Sequence, residues 1–512
     1  MLIKILLLVF FVAITVTVGL VFRRSGKTVD GYVLGGRSVG PWLSAFAYGT
    51  SYFSAVVFVG YAGQFGWKFG ISAVWIGLGN AFIGCLLAWV VLARRTRVIT
   101  RHLKSATMPD FFGKRFDAKS LRAGASVITF VFLVPYTASL YNGLSRLFEM
   151  AFHIDFTVCI VIMAVITAVY VILGGYTATA VNDFIQGLIM LAGIVAVIAA
   201  VLSKNAGFLG SVKSLAEQPG DQPGVFASFF GPKPLDLLGV VLLTSVGTWG
   251  LPQMVQKFYS IKSEKHIKTG TVVSTLFAVV ISGGCYFLGG FGRLFESAAM
   301  KTADGAMIYD AVIPEMLRGF PDILIGVVIV LVFAASISTL SSLVLASAST
   351  LTLDLVKGSF AKNMSEKKQL LTIRGLVAVF IAVSAVIAVI QSKSGVTFIA
   401  QLMGVSWGAL AGAFLAPFVY GLYWKRVSKA AVWVNFVFAS GVMLLNIFFR
   451  SSFPVLLQSP INAGAFTMLA GLVIVPLVSL VTPKPDRKYV EDVFSCYGDT
   501  VSVPVSVALA EK

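Results

Sequence analysis

The stretch from Ala334 to Thr350 reads "AASISTLSSLVLASAST", and nearly half its residues are Ser or Thr although it lies inside a long apolar run. On a helix at about 100° per residue, Ala335, Ser338, Thr339 and Ser342 share one face, and Ser341 lies beside it. Hydroxyl oxygens converging on one face form a neutral, hard-oxygen site suited to a weakly held alkali cation, whereas a cage of carboxylates holds a divalent ion. Two plainer uses compete with that one. A helical hydroxyl bonds back to the carbonyl four residues earlier, and small residues let membrane helices approach closely. The second residue with chemistry is Asp183, in "GGYTATAVNDFIQG", an acid within an apolar block. An Asp at the centre of a membrane helix costs about 2.5–3.5 kcal/mol. A capping or first-turn position, favoured by the helix dipole, is the alternative, because Asp183 falls only a turn or so into its block.

These residues need elements to hold them, and the composition says which kind. Hydrophobic residues make up 57% of the chain and charged residues 12%, with a mean hydropathy of +0.90; soluble domains are about a quarter charged. The apolar residues form blocks of roughly 20, the length that crosses a bilayer as a helix. The sequence predicts an all-α polytopic membrane protein with thirteen spans, at 2–22, 40–65, 71–93, 123–149, 155–175, 180–203, 236–256, 270–291, 321–352, 375–392, 396–423, 430–449 and 461–481. The first block reads as a retained helix, since it has a single Lys4 in front, ends in Arg23–Arg24 and lacks a small-residue cleavage site.

The net charge of +18 does not indicate nucleic acid, because the basic residues sit in short loops between apolar blocks and form no aromatic-interleaved face. Cys85, Cys159, Cys285 and Cys496 give no disulfide framework, and His102, His153 and His266 are scattered, which argues against a metal cluster. No nucleophile–base pair suggests an enzyme. Most of the 40 basic residues fall in alternate loops, among them "RRTRVITRHLK", "KFYSIKSEKHIK" and "WKRVSK". The expected location is the plasma membrane, and the positive-inside rule predicts an N-terminus outside and a cytoplasmic C-terminus.

Two blocks look interrupted. In "SAFAYGTSYFSAVVF" Gly49 is followed by Thr50 and Ser51, and "LLTSVGTWGLPQMV" holds Gly247, Gly250 and Pro252. Proline removes a backbone donor and clashes one turn back, freeing carbonyls. Membrane helices also tolerate such kinks with no further role. Blocks two to six and seven to eleven, however, form two sets of five, each opening on an interrupted helix. Odd-numbered repeats in one chain have opposite topology, and transporters place their sites at such breaks.

Together these features resemble the sodium–solute symporter family, which includes carriers for proline, pantothenate, sialic acid and sugars. The resemblance runs from "DGYVLGGRSVGPWLSAFA" through "ILGGYTATAVNDFIQGLIML" to "SISTLSS". It implies a five-plus-five inverted-repeat (LeuT-type) core: an extra N-terminal helix in 1–38, repeats in 39–205 and 206–424, C-terminal helices in 425–482 and a tail in 483–512. It implies a main sodium site of the Thr50, Phe53 and Ala335 carbonyls with the Ser338 and Thr339 hydroxyls. A second sodium site, found in part of the family, would use Asp183, Ser338, Ser341 and Ser342, giving two ions per cycle. Tyr136 matches a substrate-site tyrosine, Thr248, Trp249 and Pro252 fall on the matching stretch of block seven, and Tyr52, Phe53 and Gln253 face the same space. At Tyr52 the chain departs from the proline-type members, which carry an Asp. Few polar groups are available to read a sugar, so a small solute with a carboxylate held at helix ends is expected, such as an amino acid, proline, pantothenate or another monocarboxylate. The reading is a monomeric sodium-coupled importer working by alternating access. Its rivals are a proton-coupled carrier using Asp183 and a transporter-like solute sensor.

Overall fold

A computed structural model describes residues 2–22, 27–152, 154–204, 207–392 and 399–497. Arg23, Arg24, His153 and the end of the tail lie outside the described residues. Helices follow the apolar blocks in order. They are α1 (Leu2–Val21), a broken pair α2a (Pro41–Thr50) and α2b (56–69), α3 (74–102), α4 (Lys119–Phe152), α5 (Phe156–Leu173) and α6 (Gly175–Ser203). A second broken pair, α7a (Pro234–Val246) and α7b (Pro252–Tyr259), leads to α8 (Glu264–Gly289) and α9 (Asp322–Phe360). The chain ends in α10 (Glu366–Gln391), α11 (Ile399–Tyr423), α12 (Lys429–Phe448) and α13 (Pro460–Val481). Among the described residues there are no strands, only two isolated bridges.

Eleven of these helices are long and apolar enough to cross a membrane, or twelve with the bent α7 pair counted as one span. The expected count was thirteen, and the difference lies at block two. There α2a is only 10 residues long, and α2b runs on into α3 through Gly70 within one helical stretch, Val56–His102. The loop expected between blocks five and six is also helical. Residues 156–203 form one run whose single break is Gly175 at φ 61°.

Burial sorts the helices by role. The most apolar windows of α9 and α11 are 83% and 89% buried, against 22% for α1 and 33% for α10. Helices apolar on all sides and covered on all sides are core shafts, so the hydroxyls of α9 face protein and not lipid. At the basic end, a short helix, Met108–Arg115, sends the Arg115 guanidinium to the carbonyls of Gly421 (2.8 Å) and Trp424 (3.0 Å). This satisfies the orphan acceptors at the end of α11. Burial lowers the Arg115 pKa to about 10, which leaves it charged at neutral pH. Thr107 and Arg122 (3.0 Å) both bond the Asp354 carboxylate, fastening α4 to the end of α9.

Gly70 makes the turn between α2b and α3 at φ 63°, and a Cβ there would lie 2.1 Å from the Phe226 carbonyl oxygen. Both the left-handed backbone and the close approach require glycine. Gly70→Ala is expected to cost at least about 2 kcal/mol through strain and overpacking, visible as a lower melting temperature in detergent; an unchanged melt would contradict this packing.

Candidate functional site

The second helix breaks where Gly49, Thr50 and Ser51 stand. α2a stops at Thr50, residues 51–54 form a turn and open stretch, and a π-helical segment begins at Val56. The Thr50 carbonyl, whose helical partner would lie beyond the break, accepts the α9 hydroxyls of Ser338 and Thr339, each at 3.1 Å. The same two hydroxyls lie 3.0 Å from the Ala335 carbonyl. Two protons therefore serve four O···O contacts, and at any instant two contacts hold no proton. Oxygens crowded this way, with no carboxylate among them, suit a monovalent cation that replaces the missing protons as their common partner. Phe53 lies beside the cluster, lining a small cavity with Ser54 and Ala335.

The other α9 hydroxyls divide between the two plainer uses and a third. Ser336 and Ser349 bond back to Val332 (2.7 Å) and Leu345 (2.6 Å), and Ser341 bonds back to Ser338 (2.9 Å). Ser342 does not; its hydroxyl meets Ser51 Oγ at 2.7 Å and the Lys257 ammonium at 3.0 Å.

Lys257 is the residue that sequence reasoning misplaced. Counted among the basic loop residues of "KFYSIKSEKHIK", it belongs to α7b instead, because Pro252 at the first helical position restarts the helix through Tyr259. Its side chain is 3% exposed and its Nζ lies 3.8 Å from Asp183 Oδ2, whose side chain is fully buried. The ammonium also sits 5.1 Å from the centre of the Tyr176 ring. Asp183 itself stands about two turns beyond Gly175, in the interior of the helix. The capping and first-turn alternative is therefore overturned: the helix does not begin near Asp183, as the apolar block did.

Between the two breaks the aromatic residues meet on Trp407 of α11, which sequence reasoning missed. Tyr52 stacks on it at 5.7 Å and Tyr136 of α4 meets it edge-on at 5.9 Å. A Cβ on Gly247 would lie 3.4 Å from the same ring. The Tyr52 hydroxyl donates to the Thr244 carbonyl, tying the first break to the turn before the second. The Tyr136 hydroxyl, the Ser54 hydroxyl and the Trp407 N–H lie together, and none closes a hydrogen bond within 3.5 Å. Gln253, in the first turn of α7b, is 1% exposed and its amide has no partner.

Thr248 and Trp249 are turned elsewhere. A π-helical stretch in α3, Asn80–Leu87, widens the helix and leaves carbonyls open to side chains. The Gly84 carbonyl accepts Tyr48 (2.7 Å) and Thr248 (3.1 Å), and Ile83 accepts the Trp249 indole (3.0 Å). Pro252 starts α7b after an extended Leu251, and the two halves bend by 45°.

Two sets of five spans, each opening on a broken helix, with oxygens gathered at one break and buried polar groups between the two, define a secondary carrier of the five-plus-five inverted-repeat class. The comparisons give the family. The family model described as "Sodium:solute symporter family" matches residues 32–437, so the chain belongs to the sodium:solute symporter family. It is 27% identical to the osmoregulated proline transporter OpuE of Bacillus subtilis over 94% of both chains. It is 29% identical to a sodium/proline symporter of Staphylococcus aureus over 91% of this chain and 89% of that one. Among solved structures, a Na+-coupled sialic acid symporter in a substrate-bound outward-open state shares the fold at a TM-score of 0.73, with 18% identity over 95% of this chain and 99% of that one. The protein is a membrane-embedded symporter for a small solute, with Na+ as its coupling ion, and not an enzyme.

Proposed function

We propose that the protein imports a small carboxylate-bearing solute across the plasma membrane by alternating access, driven by sodium bound at the break in α2. The observation that carries this is the set of oxygens from Thr50, Ala335, Ser338 and Thr339, with contacts of 3.0–3.1 Å and too few protons to fill them. The Phe53 carbonyl completes the set as a fifth ligand. A sodium ion there ties the end of α2a to α9. By linkage, whatever fixes this break also raises affinity for the solute that uses the adjoining space.

The solute lies between the breaks, with the stacked Tyr52 and Trp407 rings forming one apolar wall beside it. The Gln253 amide, the Tyr136 hydroxyl and the Trp407 N–H, all without hydrogen bonds of their own, supply donors for its carboxylate. Thr248, Trp249 and Pro252 shape the wall of the site by fixing the second break. Proline is the first solute to test, since relatives are named as proline carriers; Tyr52 in place of the proline-type Asp favours a different fit around the same carboxylate. With the basic loops cytoplasmic, sodium enters down an inside-negative potential worth about 2.3 kcal/mol per charge per 100 mV.

The test is the melting temperature of the purified protein in sodium, potassium and choline chloride at equal ionic strength, since a ligand of the folded state alone stabilises by mass action. A saturable rise in sodium only is expected, and it selects the buffer for screening proline, pantothenate and other monocarboxylates. Identical melts in the three salts, with uptake that follows pH when sodium is absent, would establish a proton-coupled carrier instead.

A further inference from the structure

Family resemblance reserves Asp183, Ser338, Ser341 and Ser342 for a second sodium ion, and a cation of the chain's own already stands among these residues. Ser338 already faces the Thr50 and Ala335 carbonyls, and Ser341 donates to the Ser338 carbonyl at 2.9 Å. A donating hydroxyl keeps its lone pairs for a cation, so these oxygens stay available as ligands; the seat between Asp183 and Ser342, however, already holds a cation that the chain itself provides. Lys257 Nζ lies 3.0 Å from Ser342 Oγ and 3.8 Å from Asp183 Oδ2, with both members of the ion pair buried. The Tyr176 ring flanks the same ammonium at 5.1 Å from its centre. A sodium ion added between Asp183 and Ser342 would meet a like charge held at contact distance in a site closed to water, where repulsion is strongest.

We propose that the Lys257 ammonium is a built-in cation occupying the second site, so that the protein binds one sodium ion, at the break in α2. This rests on the sodium reading above and deepens it by setting the number of ions. It also gives Lys257 a mechanical part. Through Asp183 it joins α7b to α6, and through Ser342 it joins the same half-helix to α9, the helix that carries the sodium ligands. A free sodium ion would leave such a junction on every cycle. A covalently attached ammonium does not leave, so the tether persists after sodium is released.

Equilibrium binding of radioactive sodium to the purified full-length protein in lipid nanodiscs tests this directly. The wild-type protein is expected to bind one ion per chain with a Hill coefficient near 1. Lys257→Ala empties the seat beside Asp183 and is expected to bind two ions, the second one lost again in Lys257→Ala/Asp183→Asn. Two ions bound by the wild-type protein, or one ion bound by a folded Lys257→Ala variant, would overturn the proposal while leaving the first sodium site standing. No sodium bound by the wild-type protein would overturn the sodium site at α2 and this proposal with it. The wild-type count decides the matter even if Lys257→Ala does not fold.

Discussion

Ser338→Ala is expected to raise the sodium concentration for half-maximal stabilisation by about 10- to 100-fold. The Ser338 hydroxyl is one of two that stand between the Thr50 carbonyl, at 3.1 Å, and the Ala335 carbonyl, at 3.0 Å. Interactions of this kind with a charged partner contribute about 1.5–3 kcal/mol, and each 1.4 kcal/mol is a factor of about ten in affinity. Ser338→Ala/Thr339→Ala removes both hydroxyls and is expected to abolish the sodium response altogether. The informative control is Ser336→Ala. Ser336 belongs to the same cluster and is equally buried, yet its hydroxyl serves only the Val332 carbonyl, at 2.7 Å. If the cluster acts only in helix packing, Ser336→Ala and Ser338→Ala should change the melting temperature alike and leave the sodium midpoint untouched. If Ser338 is an ion ligand, the midpoint moves in Ser338→Ala alone. A sodium titration of the melting temperature reads both quantities in one experiment.

The largest effect on stability is expected from Asp183→Ala, at about 3–5 kcal/mol. Removing one partner of a buried ion pair leaves the other charge uncompensated, which costs far more than the pair contributes while intact. Here the stranded charge is the Lys257 ammonium, whose hydrogen bond goes to the Ser342 hydroxyl at 3.0 Å and whose ion-pair partner at 3.8 Å is lost. Adding Lys257→Met to Asp183→Ala should restore most of the loss, because an apolar side chain of similar length replaces the stranded cation. Chemical unfolding in detergent micelles measures the three forms. An Asp183→Ala protein within about 0.5 kcal/mol of wild type, the range of an ordinary surface change, would mean that the pair is not buried as described. The two expected results separate cleanly. Ser338 affects the sodium midpoint at little cost to the fold, and Asp183 affects the fold through its charge partner.

What could be read from the sequence was whatever depends on neighbours along the chain. Blocks of about 20 apolar residues with few charges allow only helices in a bilayer, since every backbone group must be satisfied within the segment. Hence the class and the helix order were legible, although the break after Thr50 divides block two into two short helices, α2a and α2b. The breaks were legible too, because glycine and proline act on their own backbone: Thr50 ends α2a and Pro252 starts α7b. So was the shared face of Ala335, Ser338, Thr339 and Ser342, which follows from helical periodicity alone. Tertiary structure decided which neighbours those faces meet. Lys257 read as a loop charge until α7b carried it inward to Asp183, and nothing along the chain paired Thr248 and Trp249 with the carbonyls of the π-helical turn of α3. Trp407 gave no local signal at all, yet it joins Tyr52 and Tyr136. These contacts link residues tens to hundreds of positions apart, and no local period or propensity encodes them. They are fixed only when the helices pack and each buried polar group takes the partner that the packing brings within reach.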